Sequence, residues 1–180
     1  MAILKNQEIH WVFLDPDRPR KNMTGDKKQW ELQVRTKDKA QRKEWMDLGI
    51  KVKSVREDKT DEESAILYYT INFRKSAEPR TENGKTRSAT PVGVVDAKQK
   101  EIDPTTIGSG SIANLLLYKR EYTVGVGASA VDKVGYTLMK VQVTKLVKRP
   151  PFEFEDFDEC EQDTEVVEPP SATEDDADIY

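Results

Sequence analysis

Residues 65–74 read Ala-Ile-Leu-Tyr-Tyr-Thr-Ile-Asn-Phe-Arg. Leu67, Tyr69, Ile71 and Phe73 alternate with Tyr68, Thr70, Asn72 and Arg74. A period of two puts the first set on one face of a pleated strand and the second on the other. Upstream, 29–36 repeats the pattern, with Trp30, Leu32 and Val34 against Glu31, Gln33 and Arg35. The apolar run 8–14 stops at Asp15-Pro16, 50–56 has strand character, and 91–96 is a short apolar segment. Two longer strands are predicted over 111–124 and 136–147, joined by a loop that holds Gly125 and Gly127. Between 75 and 90 the chain is polar, with four Lys or Arg and the turn signal Asn83-Gly84.

One stretch breaks the alternation. Residues 38–48 (DKAQRKEWMDL) are rich in helix formers, open on a capping Asp38 and stop before Gly49. They predict a short helix with Trp45 and Leu48 turned inward. Many strands, one helix, no strand–helix–strand repeat and no internal repeat predict a small all-β barrel or sandwich.

Charge divides the chain into two parts. Of 180 residues, 29 are Lys or Arg and 33 are Asp or Glu, a formal net charge of −4. Thirteen of the acids and none of the bases lie in 151–180, which leaves 29 bases against 20 acids, a net of +9, in 1–150. The expected organisation is a basic domain over 1–150, closed by Pro150-Pro151, and a disordered acidic tail over 151–180. Such asymmetry points to nucleic acid or to an interaction tail. The apolar runs fall short of the roughly 18 to 20 residues of a membrane span, and no signal-peptide pattern opens the chain. The single cysteine, Cys160, has no partner for an intramolecular disulfide, which fits a reducing compartment.

Catalysis finds little material. His10 is the only imidazole, and it sits within an apolar strand, where a hydrogen-bonded structural role is expected. One His and one Cys do not make a zinc site, and no calcium loop occurs. Gly108-Ser109-Gly110-Ser111 is no phosphate loop, since no Gly-Lys-Ser/Thr follows, and it reads as a tight turn into a strand. No cofactor or metal is expected, although scattered carboxylates could assemble a metal site that spacing does not reveal.

Binding has better material. In 111–124 Ala113, Leu115 and Leu117 follow one parity, and Tyr118, Arg120 and Tyr122 the other. In 136–147 Met139, Val141, Val143 and Val147 read as core, with Tyr136, Lys140, Gln142 and Thr144 outside. Adding Tyr68, Asn72, Arg74, Lys51 and Lys53 gives one surface that mixes rings and cations. Unpaired bases stack on rings, and phosphates need cations along a groove, so single-stranded nucleic acid is the expected ligand. Duplex DNA would call for a recognition helix or ribbon. The stacking candidates are Tyr68, Tyr118, Tyr122 and Tyr136; the phosphate candidates are Lys51, Lys53, Arg74, Arg120 and Lys140. Arg80, Lys85 and Arg87 are candidates for clamping the strand from a loop. Each Tyr has a second reading as part of an extra core layer, because a slip of one residue reverses every face. Trp30 and Trp45 are assigned to the core, and Trp11 fits either side.

The tail interleaves Phe152, Phe154 and Phe157 with acids and ends in Ile179-Tyr180. Tethered to a cationic groove, a chain of −13 would compete with DNA at high effective concentration.

The order of Pro91-Val-Gly-Val-Val-Asp96, Ile107-Gly-Ser-Gly-Ser-Ile-Ala-Asn114, the strand around 118–122, Val141-Gln-Val-Thr-Lys-Leu-Val147 and an acidic end with an aromatic last residue resembles the OB-fold single-stranded DNA-binding proteins of tailed bacteriophages. The resemblance covers the later half of the body and the tail. It implies an OB-fold-like barrel that coats exposed strands in phage DNA replication, recombination, repair and annealing, in the cytoplasm of the infected bacterial host. It also implies that the tail, through Asp175, Asp176, Asp178 and Tyr180, docks the phage DNA polymerase and helicase-primase; some members of the family form homodimers through it. Relatives commonly end in Phe, where this chain ends in Tyr180. The rival readings are a non-enzymatic virion or DNA-mimic interaction protein and a metal-dependent enzyme of nucleic-acid metabolism.

Overall fold

A computed structural model describes residues 1–125 and 130–150. The expectations for the tail fall on 151–180 and so lie outside the described residues. In chain order the elements are β1 (Ala2–Phe13), β2 (Arg20–Lys21), β3 (Lys28–Thr36), α1 (Lys39–Asp47), β4 (Lys53–Arg56), β5 (Ile66–Ser76), β6 (Arg80–Glu82), β7 (Lys85–Arg87), β8 (Gly93–Asp96), a 3-10 turn at Pro104–Thr106, β9 (Ser111–Val124) and β10 (Val131–Lys145).

Five long strands close on themselves: β3 pairs with β1, β1 with β9, β9 with β10, β10 with β5, and β5 with β3. Counted one to five along the chain, they run in the order 1-2-3-5-4-1, and the third and fifth are parallel. This is the connectivity of an OB barrel, and the described residues are all-β with one α-helix. Alternation fills the barrel as expected. Leu32 and Val34 of β3, Ile71 and Phe73 of β5, and Ala113, Leu115 and Leu117 of β9 are all buried.

The helix is where the sequence puts it. Asp38 caps it by accepting from the Ala40 amide at 2.8 Å, and Leu48 ends it. Trp45 is its one buried residue, and its indole N–H donates to Gln7 Oε1 at 2.9 Å, which fastens α1 to β1 inside the core. The Gly108–Ser111 segment is a turn, as predicted, with a further task. Ser111 Oγ donates to Gly108 O at 2.8 Å and accepts from the Val147 amide at 3.0 Å. Gly108 has no room for a side chain, because an added Cβ would lie 2.9 Å from Val147 O.

Several expectations fail where the pleat is interrupted. Register shifts between Leu138 and Lys140, so β10 carries a bulge at Met139. One extra residue reverses the faces on either side of it. Leu138 therefore points inward along with Val141 and Val143, while Met139, expected in the core, lines an outer groove. Tyr136, expected outside, is half-buried against the core, and its hydroxyl donates to Leu48 O at 2.7 Å. Val147 is exposed because it lies past the end of β10. Leu67 is exposed as well: it is the unpaired residue of the shift between Val55↔Tyr68 and Arg56↔Ile66, beyond the last partner on β3.

The wall has one weak place. β10 meets β5 in a single pair, Thr137↔Arg74, and from Lys140 onward the same edge of β10 pairs in parallel with β8. Residues 77–92, which carry the β6–β7 hairpin, leave the barrel between these two partners. A fork opens there.

Candidate nucleic-acid interface

The fork is a groove of about 540 Å³. Its floor is the outer face of β9 and β10, with Tyr118, Arg120, Thr137 and Met139. Its wall is the end of β5 and the hairpin arm, with Lys75, Arg80, Arg87 and the stretch 88–90. Thus Lys75, Arg80, Arg87 and Arg120 converge, and no carboxylate of the described residues lines the cavity.

These cations are held against their mutual repulsion. Arg80 and Arg87 stand directly opposite each other across the hairpin, a like-charge pairing that destabilises a sheet. Burial and then the charge of Arg80 hold the Lys75 ammonium below its ordinary 10.5, and its Nζ donates only to a neutral acceptor, Pro91 O, at 3.2 Å. Among the described residues none of the four forms an ion pair. A cluster of cations with no ion-pair partner among the described residues has the charge to attract an anion.

Rings border the cluster. Tyr118, 49% exposed, stands in the groove directly opposite Thr137. Tyr122, four residues on, carries the Arg120 guanidinium 5.1 Å from its centroid. The ring has room because its neighbour is glycine: a Cβ on Gly135 would lie 3.2 Å from Tyr122 Cε1. The pair offers both a phenol edge and a planar cation, each suited to a flat base.

Of the residues singled out from sequence, Arg80, Arg87, Tyr118 and Arg120 meet in the groove, with Tyr122 beside it. Lys85 sits further out on the hairpin, next to the Asn83-Gly84 turn, in which both residues have positive φ. Arg74 lies in the same cross-strand row as Tyr118, but its Nε turns to Glu31 Oε2 at 3.3 Å. Lys140 is beyond the bulge, donating to Gln99 Oε1 at 2.8 Å. Tyr68 lies under Arg35 (4.7 Å), and Lys53, on the neighbouring β4, pairs with Thr70 of β5, in a second region away from the groove. Lys51 stands near α1, beside Arg42 and Met46. Sequence reasoning missed Lys75, which has the core-side parity of β5 but falls past the strand's buried stretch. It also missed Met139, since no residue type marks a bulge. His10 has the expected polar partner, Glu8 Oε1, at 2.8 Å. No helix among the described residues is long and apolar enough to cross a membrane.

No protein-family model matches the chain, and no curated protein sequence does. Among solved structures, the chain is similar to a C-terminally truncated single-stranded DNA-binding protein from bacteriophage Enc34, at 14% identity and a TM-score of 0.49, covering 79% of this chain and 84% of that one. The same phage protein in complex with single-stranded DNA matches at 15% and 0.49, over 79% and 85%. The single-stranded DNA-binding protein gp2.5 of bacteriophage T7 matches at 16% and 0.46, over 87% and 96%. The 1-2-3-5-4-1 strand order, independent of these likenesses, is what fixes the fold.

Proposed function

We propose that this chain binds single-stranded DNA with little sequence preference and catalyses no reaction. The observation that carries the reading is the groove's four cations, none in an ion pair among the described residues, beside an exposed ring. Phosphates supply the missing counter-charge, and unpaired bases supply the faces that Tyr118 and the Arg120–Tyr122 pair can stack against. A duplex hides those faces, and α1, whose buried residue faces the core, is not placed as a reading helix.

The test is a fluorescence-anisotropy titration of the full chain with labelled single-stranded and duplex oligonucleotides, with and without magnesium. Single strands should bind more tightly. The log–log salt slope should be roughly −0.7 per phosphate neutralised, so roughly −3 for a strand that meets all four cations. Replacing Arg80 and Arg87 together by Ala should flatten that slope by about 1.4. Absence of binding, which the virion or DNA-mimic reading predicts, or magnesium-dependent cleavage would overturn the proposal.

The sequence resemblance extends the proposal to phage replication, recombination, repair and annealing in the host cytoplasm. In that setting the acidic tail competes with DNA and docks polymerase or helicase-primase through Asp175, Asp176, Asp178 and Tyr180, and a homodimer forms through it. Removing 151–180, which carries 13 acids, should tighten single-strand binding at low salt and change it little at high salt. Equal affinity at low salt would remove the competitor role.

A further inference from the structure

Trp11 is held in a backbone conformation that its side chain disfavours. Register shifts in β1 between His10 and Phe13, and Trp11 takes a positive φ of 49° within that bulge. Glycine is the usual residue there, and a bulky side chain at such a φ is a marked outlier. The strain turns the indole out of the barrel: Trp11 is 56% exposed, while its neighbour Val12 is buried. Trp11 opens onto a cavity of about 230 Å³ that it shares with Arg20, Glu31, Gln33 and Asn72.

That cavity has an anion position which the protein fills itself. Glu31 Oε1 accepts from Arg20 Nη1 at 3.0 Å, and Oε2 accepts from Gln29 Nε2 at 2.7 Å and lies 3.3 Å from Arg74 Nε. Two guanidiniums and an amide around one carboxylate is the donor set that also suits a phosphate. Beside it, the Gln33 and Asn72 side-chain amides are joined at 3.2 Å, presenting the groups that pair with base edges.

A continuous row connects this place to the groove. Tyr118, Thr137, Arg74, Glu31 and Phe13 are successive cross-strand partners over β9, β10, β5, β3 and β1. Four strand spacings of about 4.8 Å make roughly 19 Å along the wall. Arg74 thus stands at the boundary of the two sites, one strand from Thr137 of the groove and one from Glu31.

Resting on the reading of the groove as a single-strand site, we infer that Trp11, Arg20 and Arg74 form a second nucleotide subsite on the same strand's path, which Glu31 occupies as a phosphate surrogate until DNA displaces it. A base stacks on the indole with its edge toward Gln33 and Asn72, and its phosphate takes the carboxylate's place between the arginines.

The three tryptophans make the test selective, since Trp30 and Trp45 are buried and only Trp11 is open to quencher. The full chain is titrated with unlabelled oligothymidylate while tryptophan emission and iodide quenching are followed, with anisotropy of a labelled oligonucleotide in parallel. Emission should fall and iodide access should be lost on binding. Trp11→Phe should abolish the fluorescence change yet keep most of the affinity, and Trp11→Ala should weaken binding of long oligonucleotides about fivefold or more. Glu31→Gln should tighten binding and steepen the salt slope by about 0.7, as one more phosphate is neutralised. Trp11→Gly, free of the backbone strain, should melt no lower than the parent, which separates lost stacking from lost folding. Anisotropy that reports binding with no change in Trp11 emission, and equal affinity in Trp11→Ala, would overturn the second subsite and leave the groove reading intact. No anisotropy change at all would overturn both.

Discussion

On the proposed reading of the groove, Lys75 sets folding against binding at a single side chain. Partial burial first, and the nearby Arg80 second, lower its ammonium pKa below 10.5 in the folded protein. The unfolded chain keeps the ordinary value, so between the lowered value and 10.5 the unfolded state binds more protons and stability rises with pH. Below that window both states are charged, and the fold carries the full cost of a poorly solvated cation. Lys75→Met should therefore raise the melting temperature at pH 7, with the gain shrinking as pH approaches 10.5. The same variant should weaken single-strand binding and flatten the salt slope by about 0.7. Thermal melts at several pH values, paired with salt titrations, check both halves. An unchanged slope with a raised melting temperature would make Lys75 a bystander to the groove.

At the scale of elements, α1 depends on one buried polar contact. Trp45→Phe removes the indole N–H and leaves Gln7 Oε1, 2.9 Å away, without that donor in a dry site. The expected cost is about 1–3 kcal/mol in urea unfolding, and adding Gln7→Leu should recover part of it, since replacing both partners by apolar groups is nearly neutral. The elements themselves are legible from their periods: β3 and the first half of β9 alternate without interruption, β5 puts Tyr69, Ile71 and Phe73 in the core as its period predicts, and Asp38 and Gly49 bracket the helix. What is not legible is each place where one residue is added. The bulges at Trp11 and Met139 are set by how β1 and β10 bend around neighbours distant in sequence, and nothing in Glu-Ile-His-Trp-Val-Phe-Leu (8–14) or Val-Gly-Tyr-Thr-Leu-Met-Lys (134–140) announces them. Tyr136 and Met139 exchange faces for that reason alone. Tyr118 and Arg120 keep their expected face because β9 runs without a shift from Ser111 to Val124 opposite the bulged strand, so the bulge is charged to β10. Lys51, Lys53 and Tyr68 have the right chemistry but another address, since parity tells which side of a sheet a residue faces and not how far around a closed barrel it lies.

For the molecule as a whole, the barrel is unevenly fastened. β9 and β10 run paired from Val124↔Val131 to Ile112↔Lys145, and β3 and β5 pair from Gln29↔Ser76 to Thr36↔Tyr69, whereas β5 and β10 share the one pair Thr137↔Arg74. Amide hydrogen exchange should therefore be fastest, among the barrel strands, along the β5–β10 boundary, and the central pairs of β3 with β5 should be slowest. Uniform protection around the circumference would show that packing rather than pairing holds that boundary. Since the groove straddles the boundary, with Lys75 on one bank and Thr137 on the other, a strand lying across it would act as a suture. The girth of the empty barrel would then be free to fluctuate at that one place, and that of the filled barrel would not. Occupancy would then be readable far from the ligand, as slowed exchange on both banks and a melting point that climbs with oligonucleotide concentration.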